Sequence, residues 1–186
     1  MFSLSPFENM PQIETERLVI RKVSVKDAQD MFEYSRDPEV ARHVLWDAHR
    51  SVMDSRGYIK YLQRKYRLGE PSSWGIALKD TDKLIGTIGF MWWQQDNSAA
   101  EVGYSLGRAY WNRGYMTEAL KAVIKYAFTE MKLHRIEAQH EVLNPASGAV
   151  MAKAGMKKEG VLRGRLYNKG KYVDVALYAI LSEDFR

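Results

Sequence analysis

The sequence predicts one α/β domain in which helices flank a mixed β-sheet. The chain has 186 residues with 46% apolar content, which is enough to bury one core. Strand-like and helix-like segments follow the order β–α–α–β–β–β–α–β–α–β–β, without repeats, linkers or low-complexity segments. The clearest helix carries apolar residues three and four positions apart over residues 120–131, which is the pattern of an amphipathic helix packed on a sheet.

An irregular arm is expected to precede the domain. Pro6 and Pro11 interrupt any regular pattern in this arm, residues 1–13, and the domain is expected to cover residues 14–186. Within it, alternating apolar residues predict strands, and apolar residues three and four apart predict helices. The predicted strands cover residues 17–23, 73–78, 84–93, 101–106, 135–142, 160–167 and 171–181. The predicted helices cover residues 24–36, 38–44, 52–68, 118–131 and 144–154.

Residues with special backbone preferences set the ends of these elements. Pro38 and Pro145 suit the first turn of a helix, where a missing N–H costs nothing. Gly155 is expected to end the last helix because glycine readily adopts the left-handed conformation of a helix stop. Polar clusters at residues 79–83 and 94–98 predict the turns between the central strands.

The loop of residues 111–118 joins a predicted strand to the amphipathic helix. The first N–H groups of a helix are unpaired, and its dipole is positive at that end, so such a loop favours an anion. Arg113 adds a formal charge, and Gly114 permits a tight turn. The loop therefore fits a phosphate or pyrophosphate site, and it fits a plain turn with a solvated arginine equally well. Neither the P-loop pattern nor the dinucleotide fingerprint occurs in the chain.

Composition excludes several classes of function. The chain has no cysteine, which excludes disulfides, thiolate metal sites and cysteine nucleophiles. No apolar run reaches the ~18 residues of a membrane span, and no signal-peptide pattern is present, so a cytoplasmic protein is expected. The four histidines show no metal-ligand spacing, and no metal is expected. Seven Lys or Arg residues within residues 153–171 fit either a solvated hairpin or an anionic partner.

Two spaced segments resemble the cofactor motifs of the GNAT N-acetyltransferases. Residues 110–119, Tyr-Trp-Asn-Arg-Gly-Tyr-Met-Thr-Glu-Ala, resemble the acetyl-CoA motif. The Asn-Pro-Ala-Ser run at residues 144–147, with Lys-Ala-Gly-Met at 153–156, resembles the second cofactor motif. Residues 14–18 and 174–178 resemble the ribosomal-protein-alanine acetyltransferase branch, and the resemblance spans nearly the whole chain.

The resemblance implies a fold and a cofactor. The fold would be a single GNAT-like domain (α/β, with an α+β mixed sheet). Its twisted, mostly antiparallel sheet would be splayed at the cofactor site. The pantetheine arm of acetyl-CoA would lie beside residues 104–106, and main-chain N–H groups of residues 112–117 would hold its pyrophosphate. The residues implied as cofactor-binding are Tyr104, Ser105, Leu106, Trp111, Asn112, Arg113, Gly114, Tyr115, Met116, Thr117, Asn144 and Ser147.

The chain departs from the family pattern at three positions. Trp111 replaces a Gln or Arg, and Met116 replaces a small residue, but main-chain donors tolerate both changes. Met151 stands where many relatives carry a tyrosine that protonates the leaving thiolate, so a tyrosine general acid is absent at that position.

Three side chains are candidates for chemistry or for holding the cofactor. Glu101 is the candidate base for the attacking amine, directly or through water, and it also fits a solvated glutamate at a strand start. Ser147 is the second catalytic candidate, to orient a water or protonate the thiolate, and it also fits an ordinary serine at a helix start. Asn144 suits a helix N-cap, a hydrogen bond to the pantetheine arm, or both.

The implied function is direct transfer of an acetyl group from acetyl-CoA to a primary amine. A protein N-terminus is the favoured acceptor, and a polyamine or an aminoglycoside is the alternative within the enzyme class. By analogy with the family, residues 36–58 and 90–94 would line the acceptor groove. From other classes, a CoA-binding regulatory module without turnover stays open, and a nucleic-acid binder is disfavoured. A monomer or a homodimer is expected.

Overall fold

An eight-stranded sheet forms the centre of the fold in the computed structural model, which describes residues 5–185. The strands are β1 Ile13–Glu14, β2 Leu18–Arg21, β3 Ser73–Leu78, β4 Leu84–Gln94, β5 Ala99–Leu106, β6 Arg135–Glu141, β7 Lys157–Asn168 and β8 Lys171–Leu181. Their order across the sheet is β1-β2-β3-β4-β5-β6-β8-β7. The β5–β6 pair is parallel and all other neighbours are antiparallel, so the predicted mixed, mostly antiparallel sheet is confirmed.

Five α-helices flank the sheet. They are α1 Ala28–Ser35, α2 Pro38–Ala41, α3 Val52–Leu68, α4 Tyr115–Thr129 and α5 Pro145–Lys153. Short 3-10 segments cover Val25–Asp27, Arg108–Tyr110 and Ser182–Asp184. The helix predicted from Ser24 therefore begins with a 3-10 turn, where the Asp27 carboxylate accepts a hydrogen bond from the Ser24 N–H at 2.7 Å.

Local sequence accounts for where the longer helices lie. In α4, Leu120, Val123, Ile124 and Ala127 are buried in the core, as their helical spacing predicts. In α3, the Asp54 carboxylate accepts from the Ser51 N–H at 2.9 Å, which satisfies a free donor at the helix start. The helix α3 ends at a glycine with φ +62°, the usual left-handed stop.

The N-terminal arm packs against the sheet. Residues 5–12 form no helix or strand, as expected from the two prolines, but Phe7 and Met10 are buried. The Trp74 indole N–H also donates to the Pro11 carbonyl at 2.8 Å. Residues 1–4 of the predicted arm and Arg186 of the predicted domain lie outside the described residues.

The strand β7 begins three residues before the predicted position. Lys157 pairs with Ala179 of β8, because a partner strand can extend pairing through residues whose own pattern is too polar to indicate a strand. Within residues 5–185, no helix combines the length and the apolar character that a membrane crossing needs.

The sheet opens between β5 and β6. These strands pair only at Ala99–Arg135, Ala100–Ile136 and Glu101–Glu137, although β5 continues to Leu106 and β6 to Glu141. Beyond Glu101 each strand keeps only its other neighbour, β4 or β8. The unpaired ends therefore leave a gap in the sheet, and the predicted splay is confirmed.

Candidate active site

A cavity of about 420 Å³ lies beside the gap between β5 and β6. Its walls come from the end of β5, the loop before α4, the first turn of α4, one side of α5 along its length, and one side of α2 with the residues after it. This size is within the range of small-molecule pockets. The predicted cofactor residues in its walls are Tyr104, Ser105, Leu106, Trp111, Asn112, Gly114, Tyr115, Met116, Thr117, Asn144 and Ser147.

Arg113 is the predicted cofactor residue that the cavity walls do not include. Its carbonyl accepts a hydrogen bond from Arg17 Nη1 at 3.0 Å, and its guanidinium lies 5.3 Å from the centre of the Tyr115 ring. The charge is therefore beside the loop rather than in the wall.

The loop before α4 presents unpaired N–H groups. Asn112 and Gly114 both have left-handed backbone conformations, with φ +58° and +80°, which alternate with ordinary ones and form a concave run of N–H groups. The first helical bond is from the Glu118 N–H to the Gly114 carbonyl at 3.0 Å. Among the described residues, the N–H groups of residues 112–117 have no backbone partner. Together with the helix dipole they favour an anion.

Trp111 and Arg17 hold this loop in place. The Trp111 indole N–H donates to the Leu106 carbonyl at 2.7 Å, which joins the loop to the end of β5. The Arg17 side chain donates to Glu118 Oε2 at 2.7 Å, and its guanidinium lies 4.3 Å from the centre of the Tyr115 ring. The Arg17 N–H also donates to Glu118 Oε1 at 2.9 Å. The chain before β2 therefore fixes the first turn of α4.

Ser147 and Tyr104 form a hydrogen-bonded pair in the cavity wall. The Tyr104 hydroxyl lies 3.0 Å from Ser147 Oγ and donates to the Ser147 carbonyl at 3.1 Å. Burial raises the pKa of Tyr104, and the hydrogen bond to Ser147 offsets this only in part, so the phenol stays protonated at neutral pH. Met151, at the position of the missing tyrosine, is buried in the core. A phenol is nevertheless present at the start of α5, because Tyr104 of β5 supplies it.

Asn144 occupies the N-cap position of α5, with Pro145 at the first helical position, as predicted. The predicted capping bond is wrong, because the Asn144 side chain makes none. The main chain takes that role: the Ser147 N–H donates to the Asn144 carbonyl at 3.2 Å. The amide of Asn144, which lines the cavity, is therefore available for a ligand.

Comparison with known proteins decides the family. A model described as an acetyltransferase (GNAT) domain matches residues 17–157, a span that includes all the cavity walls. The chain belongs to the GNAT acetyltransferase family. It is an N-acetyltransferase, as its relatives are named.

These relatives match the acetyltransferase over nearly its whole length. The uncharacterized N-acetyltransferase p20 of Bacillus licheniformis is 35% identical over 176 residues, which cover 95% of this chain and 99% of the relative. The ribosomal protein uS5 alanine N-acetyltransferase of Escherichia coli is 30% identical over 187 residues, which cover 95% of each chain. A crystal structure of a GNAT acetyltransferase from Bacillus anthracis has a TM-score of 0.83 and 32% identity, covering 93% of this chain and 99% of that chain.

Glu101 is not in the wall of the cavity of the acetyltransferase, although Tyr104, three residues further along β5, is. Trp92 Nε1 donates to Glu101 Oε2 at 2.7 Å, and Gln139 Nε2 donates to Oε1 at 3.1 Å. Burial raises the pKa of Glu101, and these two hydrogen bonds reduce but do not cancel the rise. Its role as the base stays a prediction.

Two pairs that shape the site were missed by sequence reasoning. Arg17 and Glu118 are 101 residues apart, and His43 and Glu141, whose side chains lie 2.8 Å apart, are separated by 98 residues. Neither pair has a spacing signal, because only the sheet order brings the partners together. In the part of the chain that the structure describes, no group of three or more His, Asp or Glu residues is arranged to hold a metal ion. The expectation of no metal stays a prediction.

Proposed function

We propose that the acetyltransferase moves an acetyl group directly from acetyl-CoA to a primary amine, with no acyl-enzyme. The observation that carries the proposal is the shared cavity: residues 112 and 114–117, whose N–H groups are unpaired, and the Ser147–Tyr104 pair border the same space. The first group suits a pyrophosphate, and the second suits a reacting sulfur that needs a proton. Domain extent over residues 14–186 and a cytoplasmic location remain parts of this proposal.

The residues at the loop end of the cavity fit coenzyme A. The N–H groups of residues 112–117 would bind the pyrophosphate, and the uncapped amide of Asn144 would donate to, or accept from, the pantetheine amides. The open edge of β5 at residues 104–106, which β6 leaves unpaired, would receive the pantetheine arm as an added strand. When bound, acetyl-CoA supplies an activated thioester. Alignment of the amine then provides up to ~7–11 kcal/mol of the catalytic effect.

We assign to Ser147 Oγ the proton for the leaving sulfur. Its partner, the Tyr104 hydroxyl at 3.0 Å, holds the serine rotamer and is protonated at neutral pH. Once Ser147 donates to sulfur, the phenol can turn its one O–H from the Ser147 carbonyl to Ser147 Oγ, so the pair would work as a short relay. No cysteine is present in the chain, so no thiol competes for the acetyl group.

The acceptor that we propose is the N-terminal amine of a protein. The Escherichia coli relative, at 30% identity, is named for the alanine of ribosomal protein uS5, which supports this class of substrate. The net charge of +5 gives weak support against a highly cationic acceptor.

Release of free thiol from acetyl-CoA tests the proposal. The acetyltransferase would be assayed with N-terminal peptides, polyamines and aminoglycosides, and its lack of cysteine keeps the background low. We expect turnover with peptides that begin with a small residue. If only polyamines or aminoglycosides support turnover, the acceptor is a small amine and not a protein N-terminus. Binding of acetyl-CoA by calorimetry with no turnover on any amine would instead indicate a regulatory module.

A further inference from the structure

One wall of the cavity carries a histidine held by a buried carboxylate. His43, which follows α2, lines the cavity, and its Nδ1 lies 2.8 Å from Glu141 Oε2 at the end of β6. The Glu141 side chain is 7% exposed. Its other oxygen, Oε1, accepts from Asn168 Nδ2 at 2.5 Å. Both carboxylate oxygens are therefore engaged, and the carboxylate has one orientation.

The hydrogen bonds fix the protonation of this pair. Burial raises the pKa of Glu141, but the hydrogen bonds from His43 and Asn168 outweigh burial and leave that pKa below its ordinary value. Glu141 is therefore ionised at neutral pH and can only accept. In the neutral imidazole the proton is then on His43 Nδ1, and the lone pair is on Nε2. A carboxylate that orients an imidazole in this way also stabilises the imidazolium once it forms.

We propose that His43 is the general base of the reaction and that Glu141 and Asn168 are its positioning residues. The inference rests on the proposed acetyl transfer. As the bond from the amine nitrogen to the acetyl carbon forms and the carbon–sulfur bond breaks, one amine proton passes to His43 Nε2. The sulfur takes its proton from Ser147 Oγ. Ser147 regains a proton from water through Tyr104, and His43 releases its proton to water, so atoms and charge balance.

Other charged groups lie in the same cavity wall, on the same segment or beside Glu141, but they do not take the role of His43. They are Glu39 and Arg42 at α2, Asp47 on the segment after α2, Glu141 on β6, Lys153 on α5, Lys169 at the hairpin tip and Lys171 on β8. Glu39 and Arg42 pair with each other at 3.2 Å. Lysine and arginine ordinarily keep their charge between about pH 6 and 9, and only an imidazole ordinarily titrates there. Glu101, with its raised pKa, is the competing group and must be tested in parallel.

If His43 only held its segment in place, loss of another contact of that segment would change the pH profile in the same way. Lys169 Nζ, at the tip of the β7–β8 hairpin, donates to the Val44 carbonyl at 2.7 Å and to the Trp46 carbonyl at 3.1 Å. This contact holds the segment after α2 against the β7–β8 hairpin and does not involve the His43 side chain. Lys169→Met therefore removes a tie of the segment and keeps the proposed base, which makes it the matched control for His43→Gln.

The first test is the pH dependence of kcat/KM for the wild type and for His43→Gln, Glu141→Gln, Glu101→Gln and Lys169→Met. We expect His43→Gln to lower kcat by about 10²–10⁴-fold at neutral pH and to remove one of the two protons that shape the acid limb of the profile. The free α-amine of the substrate, with an ordinary pKa of about 7.7–8.0, contributes the other proton. Glu141→Gln should move the enzyme's part of the acid limb to lower pH, because a neutral amide stabilises the imidazolium less. Lys169→Met should keep the wild-type profile. An acid limb that keeps both protons in His43→Gln, or that loses one only in Glu101→Gln, overturns the inference.

The second test does not depend on turnover. The ¹⁵N NMR signals of the His43 ring report which nitrogen carries the proton, and His43→Gln identifies them by their absence. We expect Nε2 to be unprotonated in the wild type at neutral pH. A ring with its proton on Nε2 refutes the proposal even if the enzyme is active. If no amine supports turnover, the proposed function fails on its own, and the NMR result still decides whether His43 is held as a base.

Discussion

Gly114→Ala tests whether the backbone of the loop before α4 is the main support of the cofactor site. Gly114 has φ +80° and ψ −3°, where a side chain is strained by about 1–2 kcal/mol. The added Cβ would meet only Arg17 Nη2, at 3.4 Å, an ordinary contact, so the strain comes from the backbone. Alanine also lowers the conformational entropy of the unfolded chain, which offsets about 0.4–1 kcal/mol of this strain. The net loss in the free energy of unfolding is therefore about 0.5–1 kcal/mol.

Gly57→Ala is the matched control. Gly57 lies within α3, and a Cβ added there meets nothing within 4 Å. Alanine in a helix interior is better than glycine by about 0.5–1 kcal/mol, so this variant should be more stable than the wild type. The two variants should differ by about 1.5 kcal/mol, which corresponds to about 3–6 °C in Tm for a chain of this size.

Thermal unfolding and calorimetry with CoA decide the outcome. We expect Gly114→Ala to bind CoA at least several-fold more weakly, because a loop that relaxes its φ turns the N–H groups of residues 112–117 away from one another. Gly57→Ala should bind CoA as the wild type does. If Gly114→Ala melts as high as Gly57→Ala and binds CoA equally well, the main-chain account of the site is wrong.

Four further changes test other parts of the structure. Ser147→Ala should lower kcat by about 10–100-fold with little change in CoA affinity, and Tyr104→Phe should lower it less, as measured by steady-state kinetics and calorimetry. Hydrogen bonds outweigh the effect of burial and lower the pKa of Glu118, so its stabilising effect is complete above the ordinary carboxyl range and is lost as the pH falls through the lowered value. Urea unfolding should therefore show Glu118→Gln about 0.5–1 kcal/mol less stable at neutral pH, with the difference vanishing only once the pH is below the lowered pKa of Glu118. Gly148→Ala should lower Tm despite the helix gain, because its Cβ would lie 2.6 Å from His140 Nε2.

The sequence was sufficient where a structural preference is local. The apolar spacing of Leu120, Val123 and Ile124 sets the face that α4 buries, and no distant residue is needed to predict it. Pro145 at the first position of α5 and the glycine after α3 are equally local signals. The left-handed turn at Gly114 before α4 belongs with these features, because the glycine and the helix that follows it are contiguous in the chain.

The sequence was insufficient where function depends on pairs that the sheet brings together. The Arg17–Glu118 and His43–Glu141 contacts join residues about a hundred positions apart, and no periodicity connects them. The side-chain cap of Asn144 was predicted from a valid preference, but a main-chain bond from Ser147 satisfies the same need. Local rules identify which groups need partners, and the fold decides which partners they find.

The two ends of the cavity therefore differ in what sequence change they tolerate. At the end where we propose that CoA binds, main-chain N–H groups are unpaired, so Trp111 can replace a polar residue and still hold the loop through the Leu106 carbonyl. At the other end, side chains from the segment after α2, from β6 and from the β7–β8 hairpin meet at His43 and Lys169. Side chains change with every substitution, whereas N–H groups persist. Differences in acceptor among relatives should consequently follow residues 44–46, directly after the proposed base, and an exchange of this segment should change the preferred amine while leaving the affinity for CoA intact.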